Sequence, residues 1–262
     1  DRGGGGMITN SKYVSLLTTA AFAGAYNAIP SIVAAYGMRR LRTVYTGNLL
    51  RIRRSSDNAE QDIGYTAAGD LDTAAVSTFV GGGSGYIVNW YDQSGNAYTA
   101  AQSTAANQPL YVASGQNGKP VGRWDGVNDY MTYPVWLFPN AGSVLSVARK
   151  IGGANKYVFV ADNNDWPSMR WSTDSQVIYD NSAYQTSIGG DDVLNQWYVS
   201  LGVFATNLSE YRQNGISRGT DNTVNINATG GSNLTIGQYG GNFSNLEIAE
   251  LNSTIKVRLA PS

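Results

Sequence analysis

Apolar residues recur with two different periods along this chain. From Tyr86 onward they come in short runs, many alternating with polar residues, bounded by Gly, Asn, Asp or Pro; this is the pattern of strands joined by tight turns. The runs fall at Tyr86–Trp90, Leu110–Val112, Val121–Trp124, Tyr130–Tyr133, Val144–Arg149, Tyr157–Ala161, Met169–Thr173, Gln176–Tyr179, Gln196–Phe204, Ser209–Gln213, Asn233–Gly237, Leu246–Leu251 and Thr254–Leu259. Asn214-Gly215, between Tyr211-Arg212 and Ile216-Ser217, is the clearest hairpin turn. Strand follows strand with no linker-like shift in composition, which predicts one two-sheet sandwich of jelly-roll type.

Before Tyr86 the spacing changes. Ile32, Val33, Tyr36, Leu41 and Val44, with Arg39, Arg40 and Arg42 towards the C-terminal end, predict a helix over Pro30 to Tyr45. Leu50 and Ile52 would then share one face of a strand, and Arg51 and Arg53 the other. Asp70 to Val80 predicts a second short helix, capped by Asp70. The uncharged stretch Val14–Ala25 has the apolar core and small-residue end of a signal peptide. Its surroundings are too polar for a membrane span, and the favoured reading is an apolar arm that packs on its own domain or on a neighbouring subunit. Residues 1–28 are set apart as this arm and 29–262 as the domain.

Composition supports a mainly β chain, with 31 glycines and only 14% charged residues. A net charge of −1 gives no overall attraction to nucleic acid or an anionic membrane. The chain has neither cysteine nor histidine. This removes disulfides, thiolate chemistry, a Ser-His-Asp triad and His-ligated metals, leaving carboxylate-pair glycosidases as the chief surviving enzyme class.

Six of the 18 basic residues lie between Arg39 and Arg54. Arg51, Arg53 and Arg54 are read as structural ion pairs with Asp57, Glu60 and Asp62, in preference to an anion patch. Gly81 to Gly85 lacks the Lys-Ser/Thr of a phosphate loop and precedes a strand. Asp92, Asp125 and Asp129 lie in loops after strands, where turn-locking bonds to the backbone are favoured over sugar hydroxyls or Ca²⁺. No other metal and no cofactor is implied. Trp90 and Trp124 read as core; Trp136, Trp166 and Trp171, flanked by Pro, Asn or Asp or close to them, are the candidates for stacking on sugar rings.

Several motifs carry a resemblance: Arg53-Arg54-Ser55-Ser56-Asp57-Asn58-Ala59-Glu60-Gln61-Asp62-Ile63-Gly64, Asp70-Leu71-Asp72, Trp90-Tyr91-Asp92-Gln93-Ser94-Gly95-Asn96 and Trp124-Asp125-Gly126-Val127-Asn128-Asp129-Tyr130. They resemble the catalytic domain of the α-L-arabinofuranosidase B family. They are also similar to laminin-G/concanavalin A-like modules of bacteriophage structural proteins. The resemblance implies an all-β, concanavalin A-like jelly-roll β-sandwich, with one or two short helices near the N-terminus. It further implies a Glu nucleophile on a mid-chain strand and an Asp acid in a late Gly-Gly-Asp stretch.

The chain departs from that pattern. Its glutamates are Glu60, Glu210, Glu247 and Glu250, none of them mid-chain; Gly240-Gly241-Asn242 carries an amide, Met169-Arg170-Trp171 offers Arg, and the family's paired cysteines are absent. The expectation is therefore a non-catalytic, virion-associated structural protein of a phage capsid or tail, at the virion surface or extracellular. Its arm would join other virion subunits or a second copy. Trp136, Trp166, Trp171, Asp92, Asp129 and Asn242 would contact a cell-surface glycan, with no nucleic acid and no membrane span involved. The alternatives are a free-standing lectin-like module, and an arabinofuranosidase-type glycoside hydrolase using Asp162 or Asp165 with Asp191 or Asp192.

Overall fold

A computed structural model describes residues 24–29, 31–133, 141–153, 156–160, 168–171, 176–179, 193–205, 209–221 and 234–255. The strands of the first half are β1 (Ile32–Gly37), β2 (Leu50–Arg54), β3 (Glu60–Ile63), β4 (Gly85–Trp90), β5 (Ala100–Ala101), β6 (Leu110–Val112), β7 (Val121–Asp125) and β8 (Met131–Tyr133). Those of the second half are β9 (Ala141–Gly152), β10 (Lys156–Val160), β11 (Ser168–Trp171), β12 (Gln176–Tyr179), β13 (Trp197–Ala205), β14 (Ser209–Gln213) and β15 (Ile216–Asp221). They end with β16 (Leu234–Ile236), β17 (Gln238–Tyr239), β18 (Asn242–Phe243) and β19 (Asn245–Ile255). The fold is all-β, as an antiparallel jelly-roll sandwich requires.

The long strand β19 organises one layer. It pairs with β9 along one edge, and on its other edge with β1 and β7 end to end. Beyond β9 the ladder continues through β13, β14 and β15. The other layer runs β3–β2–β4–β5–β8–β16–β10–β11–β12. β6 bridges β4 to β7 and joins the layers at one side. Between them lies an aromatic core in which the Trp90 ring sits 5.8 Å from Tyr36 and 6.4 Å from Trp124. Asn214 and Gly215 both adopt positive φ, +52° and +81°, the left-handed pair that a two-residue hairpin turn between twisted strands demands.

The helix expected over Pro30 to Tyr45 does not form. Residues Ile32–Gly37 are strand β1, all six buried. The reason is packing on two faces: Ile32 and Ala35 meet Tyr26 and Leu41, whereas Val33, Ala34 and Tyr36 enter the main core. A run apolar on both sides carries no period of its own, and the ladder with β19 decides the conformation. α1 (Thr73–Val80) is the one α-helix among the described residues, and its N-cap is Asp72 instead of Asp70. Asp72 accepts the Ala75 N–H at 2.9 Å, while Asp70 pairs with Lys119. The strand expected over Leu246–Leu251 runs on without a break to Ile255 as β19, and the rest of the one expected over Thr254–Leu259 lies outside the described residues. Of the arm, residues 24–28 pack on the domain through Tyr26, whose hydroxyl donates to Glu250; the rest lies outside the described residues.

Candidate functional site

The charged stretch after β1 is tied up in its own hairpin. β2 and β3 place Arg51 opposite Asp62 and Arg53 opposite Glu60. Arg51 Nε donates to Glu60 at 2.7 Å and its Nη1 lies 3.6 Å from Asp62; Arg54 clasps Asp57 with bonds of 2.7 and 2.6 Å. The Arg54 bonds, with the Ala59 N–H, hold the Asp57 carboxyl down at about 2. Arg53 pairs with none of these carboxylates. It donates to Gln108, Asn58 and the Ala105 carbonyl and lies over the Tyr86 ring. The carboxylate side chains are 36–49% exposed, so solvent screens each pair and it contributes little to stability.

Asp92 is a lock. Its Oδ1 accepts N–H bonds from Ala35 and Ser94, both at 2.8 Å, and its Oδ2 accepts the Ser94 hydroxyl at 2.6 Å and the Tyr98 N–H at 3.0 Å. Gln93 and Asn96 add bonds to Leu41, Arg39, Ile32 and Val33. A carboxylate with four donors in a buried loop has no capacity left for a sugar or an ion. The Trp90–Asn96 motif thus fastens β1 to the end of β4.

A second Asp-containing loop follows β7 and is built differently. Asp125 Oδ1 accepts from the Val127 and Asn128 N–H groups, closing the turn at the surface. Asp129, only 6% exposed, has one hydrogen bond among the described residues, from the Asp125 N–H at 3.0 Å. Burial, reinforced by the Asp125 charge and opposed by that bond, pushes the Asp129 carboxyl up to about 7. A carboxyl shared between its two protonation states near neutral pH can give or take a proton.

This loop lies against the β17–β18 hairpin. The Tyr130 ring stands 6.2 Å from Phe243, next to Asn242, and a side chain at Gly126 would meet Cβ of Asn245, the first residue of β19, at 2.8 Å. Tyr239, the hairpin residue paired with Asn242, stands 5.1 Å from Tyr157 of β10. The Tyr130–Phe243 contact thus links the loop that carries Asp129 to the hairpin that carries the exposed Asn242. Asp92 belongs to the lock at β1. Trp171, expected at the surface, is completely buried in the core; it sits on β11 and its flanking polar residues do not decide its facing. Trp136 and Trp166 lie outside the described residues. Sequence reading missed the tyrosine pair at the hairpin, since neither Tyr157 nor Tyr239 stands in a motif. Among the described residues, no group of three or more Asp or Glu is placed to hold a metal ion.

The sequence matches the family "Alpha-L-arabinofuranosidase B, catalytic" over residues 24–157, just over half of its 262 residues. The chain belongs to this family. Over 116 residues, 43% of this chain, it is 31% identical to the probable alpha-L-arabinofuranosidase B of Aspergillus flavus and to the alpha-L-arabinofuranosidase B of Aspergillus oryzae. The matched stretch spans 23% of the length of these curated relatives. In fold the chain resembles an arabinofuranosidase complexed with arabinofuranosyl-alpha-1,2-xylobiose, with a TM-score of 0.71 at 16% identity, covering 90% of this chain and 61% of that one. A mutant GH54 α-L-arabinofuranosidase soaked with 4-nitrophenyl α-L-arabinofuranoside gives 0.70 at 15% identity, with the same coverage.

Family membership overturns the expectation of a non-catalytic phage structural protein. That expectation rested on the resemblance to phage modules, on the carboxylates missing from the second half and on the N-terminal arm. The arabinofuranosidase B match covers the first half, including the Arg53–Gly64, Trp90–Asn96 and Trp124–Tyr130 motifs that the two resemblances shared.

Proposed function

We propose that this chain is a glycoside hydrolase domain of the α-L-arabinofuranosidase type, acting outside the cell on α-L-arabinofuranosidic bonds. The observation that carries the reading is the family match over residues 24–157. The chemistry calls for two carboxyl groups, one to protonate the leaving oxygen and one to attack the sugar or to activate water. Asp129 is the proton donor in this proposal, because burial holds it partly protonated near neutral pH and the next residue, Tyr130, meets Phe243 of the hairpin. Its partner is drawn from Asp162, Asp165, Asp191 and Asp192, which lie outside the described residues. Asn242, an amide, cannot serve as the acid; its role is to hydrogen-bond sugar hydroxyls.

The test is release of nitrophenol from 4-nitrophenyl α-L-arabinofuranoside by the purified chain, with 4-nitrophenyl β-D-xyloside as control. The proposal expects release from the arabinofuranoside, sharply reduced in Asp129→Asn and in one of the four Asp→Asn variants. A folded chain that releases nothing from the arabinofuranoside overturns it.

A further inference from the structure

A row of charged side chains, ended by an indole, crosses the outer face of the β19 layer. Register places Glu247 opposite Arg123 of β7 and Arg149 of β9, and Arg149 opposite Trp197 of β13. Four side chains from four adjacent strands thus stand in one line. Their chain neighbours Trp124, Leu246, Ile248, Ala148 and Tyr198 point the other way, into the core.

Glu247 is fully buried. Its Oε1 accepts from Arg123 Nε at 2.8 Å and Nη2 at 2.5 Å, and its Oε2 accepts from Arg149 Nε at 2.7 Å. A buried carboxylate is costly unless well paired, and here it orients two guanidinium groups side by side. The heads of those groups remain accessible: the Arg123 side chain is 41% exposed and that of Arg149 25%. Arg123 Nη1 and both Nη atoms of Arg149 have no hydrogen-bond partner among the described residues. Arg149 is steadied further by stacking 5.3 Å from the centroid of the partly exposed Trp197 ring. Two cations against one anion leave this row with one positive charge. The nearest like-facing acid along β7, Asp125, spends its Oδ1 on the Val127 and Asn128 N–H groups.

Outward guanidinium donors fixed by a buried acid suit a planar carboxylate, which they can meet with paired N–H bonds. An indole beside them suits the C–H face of a sugar ring. We propose that the Arg123–Glu247–Arg149–Trp197 row is a binding platform for the carboxylate of a uronic acid unit in an acidic polysaccharide. None of its four residues is among those assigned to hydrolysis, and the choice of a sugar as ligand rests on the saccharide-processing reading above.

Isothermal titration calorimetry of the full chain tests this without turnover, so its failure and the failure of hydrolysis are separate results. The probes are an oligogalacturonide, monomeric galacturonic acid, a neutral xylo-oligosaccharide and sulfate. Trp197→Ala leaves both ion pairs intact, and Arg123→Gln leaves Glu247 paired with Arg149, so both variants should keep the native thermal melt. The oligogalacturonide should bind more tightly than the monomer, the neutral sugar should give no heat, and added salt should weaken binding. Each variant should lower the affinity about tenfold, Arg123→Gln through lost hydrogen bonds to a charged group and Trp197→Ala through lost stacking on the sugar ring. Absence of uronate binding, affinity undiminished from the parent's in both folded variants, or sulfate binding as tightly as the oligogalacturonide would overturn the proposal.

Discussion

Two loops of this sandwich look alike in sequence and behave in opposite ways. Each follows a strand whose buried Trp belongs to the core, and each carries a nearly buried aspartate, Asp92 in one and Asp129 in the other, both 6% exposed. Asp92 receives four hydrogen bonds, two of them from Ala35 and Tyr98 beyond its own turn. Asp129 receives one, and burial pushes its carboxyl up to about 7. Burial alone therefore does not set the chemistry of a carboxyl group. The number of donors aimed at it separates a structural lock from a group able to move a proton.

The comparison breaks most visibly in activity. Asp129→Asn removes the titratable proton and keeps an oxygen for the Asp125 N–H. Hydrolysis of an aryl arabinofuranoside should fall by on the order of 10²–10⁴-fold, the usual contribution of a general acid, while the thermal melt stays near that of the parent. Asp92→Ala should do the reverse. It strands buried N–H groups on Ala35, Ser94 and Tyr98, and urea unfolding should show a loss of about 3 kcal/mol or more.

How far the two loops could be told apart from sequence follows from where their partners come from. Trp90 and Trp124 stand in strand patterns and are indeed fully buried, and the alternation from Tyr86 onward marks most strands to within a few residues. Trp171 misleads because residues near it in sequence are polar while the layer above it is apolar. Ile32–Gly37 misleads because a segment buried on both faces fits a helix as well as a strand. The donors to Asp92 include one 57 residues away, and Glu247 finds its arginines 124 and 98 residues away. Contacts of that range leave no local spacing to read. The Asp125–Asp129 turn, in contrast, is visible as a motif, but the burial that changes its acidity is not.

Stability against pH gives a finer probe, with opposite signs for two aspartates. Asp129 has a native value near 7 against about 3.9 unfolded, so its contribution is fully present below about pH 4 and is lost as pH rises to about 7. Asp57, held at about 2 by Arg54, contributes stability that is present above about pH 4 and lost as pH falls through about 2. Urea midpoints measured across this range should show both trends. Asp129→Asn should remove the first and Asp57→Asn the second. The smallest effect is expected at the exposed hairpin, where Arg51→Ala should cost under about 1 kcal/mol in chemical denaturation, shrinking further at high salt.

The contrast between the two loops is tested most directly by carbon-detected NMR titration of the Asp129 carboxyl in the intact chain. The structure predicts a midpoint close to pH 7. A midpoint at or below about 4, the value of an ordinary solvated aspartate, would contradict the assignment of Asp129 as the proton-carrying group.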